Sequence, residues 1–367
     1  MFRITVRVHE FDFFGVKFDM CLKYLERCLF DFNSMYMAFS IVSSGIYLPK
    51  NRWSSSDMDR FLSLPSGTSK NRYGVEYRHV ADDSETAIYM GSKAVESCLA
   101  QTSHSIADID LLIYASGTHH QALPYDASAL LSSLDAPVWI ESFDLNSTCL
   151  SFLTALDLAQ SLFIAKRYRR ILIVTSEVAT GVTLNRSFAP EKEIATLFAD
   201  GAAAFLLKAD EQSLGLLARK FETHHSGYEY CQIAGGGSHL NPHKLTHQEY
   251  LYACRFVMDG KKLFRHIRKV MTPFLTNGLK ESAISLEEVD YFLPHQASFH
   301  ALKKLPNFTG FSESRIVNNF STLGNQVAAS IPINLHLLRN ERDISGKSVL
   351  LAGSAAGLSL GMGLISL

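Results

Sequence analysis

From residue 40 onward, short β-branched and apolar runs alternate with longer stretches of helical periodicity, and that alternation can be buried only by layering helices on sheets. The spacing predicts strands over 40–48, 110–115, 140–145 and 170–176, with helices over 86–101 and 124–134 between them. After Asp200-Gly201 come an apolar run over 202–207 and a strand near 214–221. Then follows a polar, loop-rich excursion over 224–249 that contains Gly235, Gly236 and Gly237. The same style returns as helices over 260–277, 297–305 and 328–338 and strands over 289–293, 348–352 and 358–366. Leu111 to Gly117 and Asp290 to His295 share one strand-then-turn layout, which points to two related halves.

With 367 residues, 47% of them hydrophobic, the chain can bury a large core in one two-part unit, divided here as 37–210 and 211–367. Its formal net charge of −1 lacks the bulk basicity that favours nucleic acid, so no nucleic-acid partner is expected. The six cysteines (Cys21, Cys28, Cys98, Cys149, Cys231 and Cys254) have no paired short spacings, which suits reduced thiols and a cytoplasmic location. Residues 1–36 are rich in Phe and Tyr but interrupted by Arg3, Arg7, Glu10, Asp12, Lys17 and Asp19. They hold no run of about 20 apolar residues for a membrane span and no signal-peptide pattern. Two readings of them stay open: Leu22, Leu25, Cys28 and Leu29 form one face of a docked helix, or the globular unit starts at Met37 and they are an extension.

The run Phe143 to Phe152 puts a cysteine where a strand gives way to an apolar helix marked by Leu150, Leu153, Leu156, Ala159, Leu162 and Phe163. In a first helical turn Cys149 would meet unpaired N–H groups and the positive end of the helix dipole. These favour a thiolate nucleophile and leave donors for an oxyanion. His295 and Asn325 lie at comparable turn positions, in Pro294-His295-Gln296-Ala297 and Gly324-Asn325. Each has an ordinary alternative, as a small buried hydrophobe, a backbone-bonded histidine or a turn residue. The histidines at 119, 120, 224, 225, 239, 243 and 247 have no Cys or carboxylate at ligand spacing in the sequence, so no metal site is expected.

These residues resemble the β-ketoacyl-acyl-carrier-protein synthase III family of thiolase-like fold, from about Met37 to Leu367. The landmarks are Ser44 to Pro49, Tyr73 to Val80, the Cys149 segment, Leu197 to Ala204, Met258 to Phe264, Pro294 to Ala297, Gly324-Asn325 and Gly353 to Gly361. The resemblance implies a five-layered α/β/α/β/α protein with two pseudo-equivalent halves, a homodimer, and a Cys149-His295-Asn325 triad. Cys149 would take an acyl group from an acyl-CoA or acyl-carrier-protein thioester. Its backbone N–H, with that of Ala355 or Gly357, would hold the oxyanion. His295 and Asn325 would hydrogen-bond the malonyl thioester of malonyl-carrier protein during loss of carbon dioxide, giving a 3-oxoacyl product without metal or redox cofactor. By the same resemblance Arg72 and Lys192 would bind the nucleotide end of coenzyme A, Ser298 the pantetheine, Lys303 and Lys304 the acidic carrier protein, and Leu123 would close a partner's acyl tunnel.

Several positions depart from the family pattern. Ser298 stands where an asparagine is usual, Thr68 near the place of an adenine-stacking tryptophan, and Ser354, Ala355 and Ala356 in a turn that is normally glycine-rich. Two rivals follow: an acyltransferase or non-decarboxylative condensing enzyme of the same fold, and a silent partner subunit. Joint retention of Cys149, His295 and Asn325 argues against the second.

Overall fold

The computed structural model describes residues 38–184 and 191–367. The expectations for residues 1–36, including the helical face of Leu22, Leu25, Cys28 and Leu29, fall outside them. Five strands form the first sheet: β1 (Ala38–Tyr47), β2 (Leu111–Tyr114), β3 (Glu141–Asp144), β4 (Arg170–Glu177) and β5 (Gly201–Asp210), in the order β1-β5-β4-β2-β3. Four form the second: β6 (Leu216–Thr223), β7 (Tyr291–Pro294), β8 (Ser348–Ala355) and β9 (Ser359–Ser366), in the order β7-β8-β9-β6. The pairings β1/β5, β5/β4 and β4/β2 run antiparallel, antiparallel, parallel. So do β6/β9, β9/β8 and β8/β7. The two halves therefore repeat one topology, and β2 and β7 are the equivalent strands that the sequence layout pairs. Where the first sheet adds β3, the second has only an isolated parallel bridge between Phe292 and Ile316.

Both faces of each sheet are buried, because consecutive strand residues serve different cores. Leu111 and Ile113 face a central core shared with Val349 and Leu351 of the second sheet. Leu112 and Tyr114 face an outer core built with helix α1 (Ala87–Leu99) and helix α2 (Asp126–Ser133). Leu350 and Ala352 face a third core under α4 (Gly260–Glu281) and near α5 (Phe299–Thr309). The shared core is filled by helix α3 (Ser151–Ile164), with Phe152, Leu153 and Leu156, and helix α6 (Ser330–Glu341), with Ile331, Ile333 and Leu335. Five layers result, with α3 and α6 in the middle. Each such side chain contributes about 1.5–3 kcal/mol on burial.

Two short helices, Ser55–Phe61 and Thr68–Tyr73, were not apparent in the sequence pattern. The capping box of Ser54 and Asp57 starts the first, and the amides of Gly67 and Ser69 on buried Asp59 fix the approach to the second. The 224–249 excursion holds a 3₁₀ turn at His225–Tyr230 and a strand at Cys231–Gln232 that pairs with Val257–Met258.

Arg78 ties this region to the second half. Fully buried, it donates to the carbonyls of Tyr77 (2.8 Å), Ser321 (2.9 Å) and Thr196 (3.3 Å), and its guanidinium lies 4.7 Å from the Phe320 ring centroid. Gly324 has a φ of +66°, and a Cβ there would lie 2.6 Å from Arg78 Nε, so the side chain packs directly under the Gly324-Asn325 turn. Truncating Arg78 strands those carbonyls and opens a cavity. Arg78→Ala is expected to cost about 3–5 kcal/mol in chemical denaturation.

Candidate active site

The loops that enter α3 and α6 are built alike. Asn146 Oδ1 accepts from Thr148 N (2.8 Å) and Asn325 Oδ1 from Val327 N (2.9 Å). Ser151 Oγ accepts from Ser147 N (2.9 Å) and Ser330 Oγ from Gln326 N (2.8 Å). Thr148 and Val327 both take left-handed φ values, +52° and +48°, and each opens a 3₁₀ turn ahead of its helix. Asn325 is thus the counterpart of Asn146, and Cys149 that of Ala328. The two turns meet at Gly117, where a Cβ would lie 2.7 Å from Val327 Cγ1 and 3.3 Å from the carbonyl carbon of Thr148. No side chain fits there.

Cys149 therefore lies in the 3₁₀ turn Thr148–Leu150, one step before α3, rather than within the first turn of an α-helix. His295 follows β7, with its N–H on Ala352 O (2.8 Å). Gly353 separates the two segments: a Cβ there would lie 2.7 Å from His295 Cβ and 3.5 Å from Leu150 Cδ2. Asn325 Nδ2 reaches Ala297 O at 3.4 Å, two residues beyond His295. The three residues expected from the sequence thus sit on neighbouring turns. To the assigned oxyanion donors the structure adds the backbone of Ala356, which with that of Cys149 itself acts to favour the thiolate. Ala356 lies between Ala355 and Gly357. Gly357-Leu358-Ser359-Leu360-Gly361 has the spacing of a hydrolase elbow, but Ser359 begins β9 of a hairpin and no helix follows.

Electrostatics correct the expectation of a ready thiolate. Burial, then the Glu177 carboxylate and Cys231, push the Cys149 thiol from 9.0 up to about 12. That is about 4 kcal/mol against the thiolate, more than the roughly 0.3–1 kcal/mol that a helix dipole returns. Burial also holds His295 down at about 4, so its ring is neutral. Its Nδ1 is sealed without a partner. A proton on Nε2 leaves Nδ1 as a bare acceptor and makes Nε2 the donor.

Glu177 is the site residue that sequence reasoning missed. Its fully buried carboxylate accepts from Gly117 N (2.5 Å), Thr118 N (3.2 Å) and the Thr118 hydroxyl, and burial raises it to about 7. The only signal was a carboxylate ending an otherwise apolar strand, Arg170–Glu177. Cys231 escaped for the same reason, since only folding brings the short Cys231–Gln232 strand within electrostatic reach of Cys149.

The remaining assigned positions divide. Arg72 and Lys192 are exposed on the short helices Thr68–Tyr73 and Lys192–Leu197, which pack together, and Lys192 Nζ donates to Ser63 O at 3.0 Å. Ser298 caps α5, its Oγ accepting from Ala301 N at 3.2 Å. Lys303 and Lys304 are exposed beside the rings of Phe299 and Phe264. Leu123 is 86% exposed. A largely apolar cavity of about 80 Å³ between α4 and α5, lined by Phe264, Met271, Leu305 and Phe308, reaches His295 and Ser354.

Iodoacetamide alkylation of Cys149 is expected to be slow at pH 7 and to rise about tenfold per pH unit up to pH 10, with no plateau, since thiolate limits the rate. Glu177→Gln removes a charge that disfavours the thiolate, and should speed alkylation on the order of a few fold at pH 8. A plateau beginning near pH 7 would contradict the raised thiol.

Comparison with known proteins places the chain. The family model described as 3-oxoacyl-[acyl-carrier-protein] synthase III matches residues 143–225, and its C-terminal counterpart matches 279–367. The β-ketoacyl-[acyl-carrier-protein] synthase III of Rickettsia felis is 31% identical over 330 residues, which are 90% of this chain and 99% of the relative. That of Rickettsia prowazekii is 30% identical over the same coverage. The crystal structure of 3-oxoacyl-[acyl-carrier-protein] synthase III from Aquifex aeolicus superposes with a TM-score of 0.79 at 25% identity, covering 90% of this chain and 100% of that one. On the relatives' identity and coverage, with the repeated topology and the shared turns at Cys149 and Asn325, the chain belongs to the β-ketoacyl-acyl-carrier-protein synthase III family.

Proposed function

We propose that this protein transfers an acyl group from an acyl-CoA or acyl-carrier-protein thioester to Cys149, and condenses it with malonyl-carrier protein to a 3-oxoacyl product. The observation that carries this reading is the placing of Cys149, His295 and Asn325 on neighbouring turns of the two repeated halves. Cys149 rests as a thiol: as its sulfur adds to the thioester carbonyl, with the backbone of Cys149 and Ala356 at hand for the oxyanion, the carbon–sulfur bond to the carrier breaks and the thiol proton ends on the departing carrier sulfur. Neutral His295 donates from Nε2, which suits a developing enolate oxygen, and Asn325 supplies an amide donor. The apolar cavity that ends at His295 gives a chain-like group a dry approach. No metal or redox cofactor enters these steps.

The exposed bases Arg72 and Lys192, on packed helices, suit the phosphates of coenzyme A, and Lys303 and Lys304 suit an acidic carrier. Ser298 is committed to capping α5, so it contributes to binding through the helix it starts. A homodimer is supported by β3, an edge strand of the first sheet, together with Leu123 (86% exposed), Val138 (100%) and Trp139 (67%) beside it. In a dimer Leu123 is positioned to meet the partner's acyl site. A cytoplasmic location accords with free thiols at Cys98, Cys149, Cys231 and Cys254, and no helix among the described residues is long and apolar enough to cross a membrane.

Intact-protein mass after incubation with acyl-CoA donors is the direct test. Wild-type protein is expected to gain one acyl group, Cys149→Ala none, and His295→Ala and Asn325→Ala one that is not consumed by malonyl-carrier protein, with condensation reduced at least about 10²-fold. Condensation by His295→Ala at the parent rate would remove its assigned role. Trp139→Asp is expected to shift sedimentation from dimer to monomer without unfolding, since the ring is exposed in the single chain.

A further inference from the structure

We propose that His119, Asp126 and Asp144 form a binding site for a divalent first-row cation such as Zn²⁺ or Mn²⁺, which would fasten the β2–α2 loop to edge strand β3. One ligand atom from each residue lies within 4.8 Å of the other two, a span that a cation with bonds of about 2.0–2.2 Å closes by small side-chain movements. His119 Nδ1 is 3.8 Å from Asp126 Oδ2, and this imidazole is 57% exposed, so the site opens to solvent on one side.

Asp126 supplies an independent pointer to a ligand. Its side chain is 1% exposed, and although Oδ2 accepts from His120 N at 2.8 Å, Oδ1 is sealed from water with no hydrogen-bond partner. An orphaned carboxylate oxygen in that setting costs free energy unless something positive meets it. Among the described residues neither Asp126 nor Asp144 is paired with a lysine or arginine, and the exposed His119 is the one nearby base in ion-pair range. Asp144 accepts one amide on each oxygen, from Ala127 and Asp126 at 2.8 Å, so each oxygen keeps a lone pair for a metal. Two carboxyl groups and one imidazole make a donor set whose negative charge, with a cation bound, a dication would cancel. Nitrogen with hard oxygen donors suits Zn²⁺ and Mn²⁺ better than thiophilic ions. The three ligands come from the loop after β2, the first residue of α2 and the last of β3, so the bound ion would brace the loop that carries Leu123.

Isothermal titration of the EDTA-treated full-length protein with ZnCl₂ tests this, with thermal unfolding as a second readout. One Zn²⁺ per chain is expected at this site, with a rise in unfolding midpoint of a few degrees at about 100-fold excess over Kd. His119→Ala, a surface change, and Asp126→Asn, which keeps the shape and can still accept from His120, should each weaken that binding at least tenfold and abolish the midpoint rise. Failure of the wild-type protein to take up Zn²⁺ overturns the proposal. So does undiminished affinity in either variant, because the metal would then lie elsewhere, as on the histidines between 224 and 247.

Discussion

A single layer of two helices, α3 and α6, is packed between two sheets and serves as core to both. The buried residues of that layer, such as Phe152, Leu156, Ile331 and Leu335, share one core with strand residues of both halves, so neither half can satisfy its apolar surface alone. The turns that deliver the chain into these helices are drawn to the same place, and they meet at Gly117, where there is no room for a Cβ. The proposed chemistry falls at this junction because Cys149, His295 and Asn325 all ride on segments that the buried helices and adjoining strands hold fixed. The repeated pairing order of the sheets and the repeated Asn and Ser bonds of the two turns give the junction approximate twofold character. The side chains break that symmetry: the position of Cys149 in one turn is Ala328 in the other.

The same enclosure sets the electrical character of the site. Low polarity keeps Cys149 protonated, His295 neutral and Glu177 at about 7, all in the direction that burial alone dictates. In the proposed reaction a resting thiol makes activation of the sulfur part of acyl transfer. A neutral imidazole suits a donor to a developing enolate. Arg78 is the complementary case, a guanidinium held by carbonyls beneath the Gly324-Asn325 turn.

The alternation of strands and helices was legible because it is a local periodicity, and most elements fell within a few residues of their expected bounds. The short helices Ser55–Phe61 and Thr68–Tyr73 were not, because capping by Ser54 and Asp59 sets them where apolar periodicity is weak. Cys149 stood out by its place between strand and helix, yet its protonation did not, since it is set first by burial and then by Glu177 and Cys231, all products of the folded chain. In the same way His119 appeared to have no carboxylate at ligand spacing, and folding put Asp144 beside it from a different strand.

What the sequence alone determined, then, is the layered α/β architecture, its division into two like halves and the candidate nucleophile. Periodicity and turn chemistry act over a few residues and survive in a linear reading. Tertiary structure decided the company each of these residues keeps: Ala356 near the Cys149 sulfur, Glu177 beneath Gly117, and Asp126 beside His119 and Asp144. Dielectric environment and charge pairing are sums over neighbours distant in the chain, and those neighbours exist only once the two sheets have closed on their common helices.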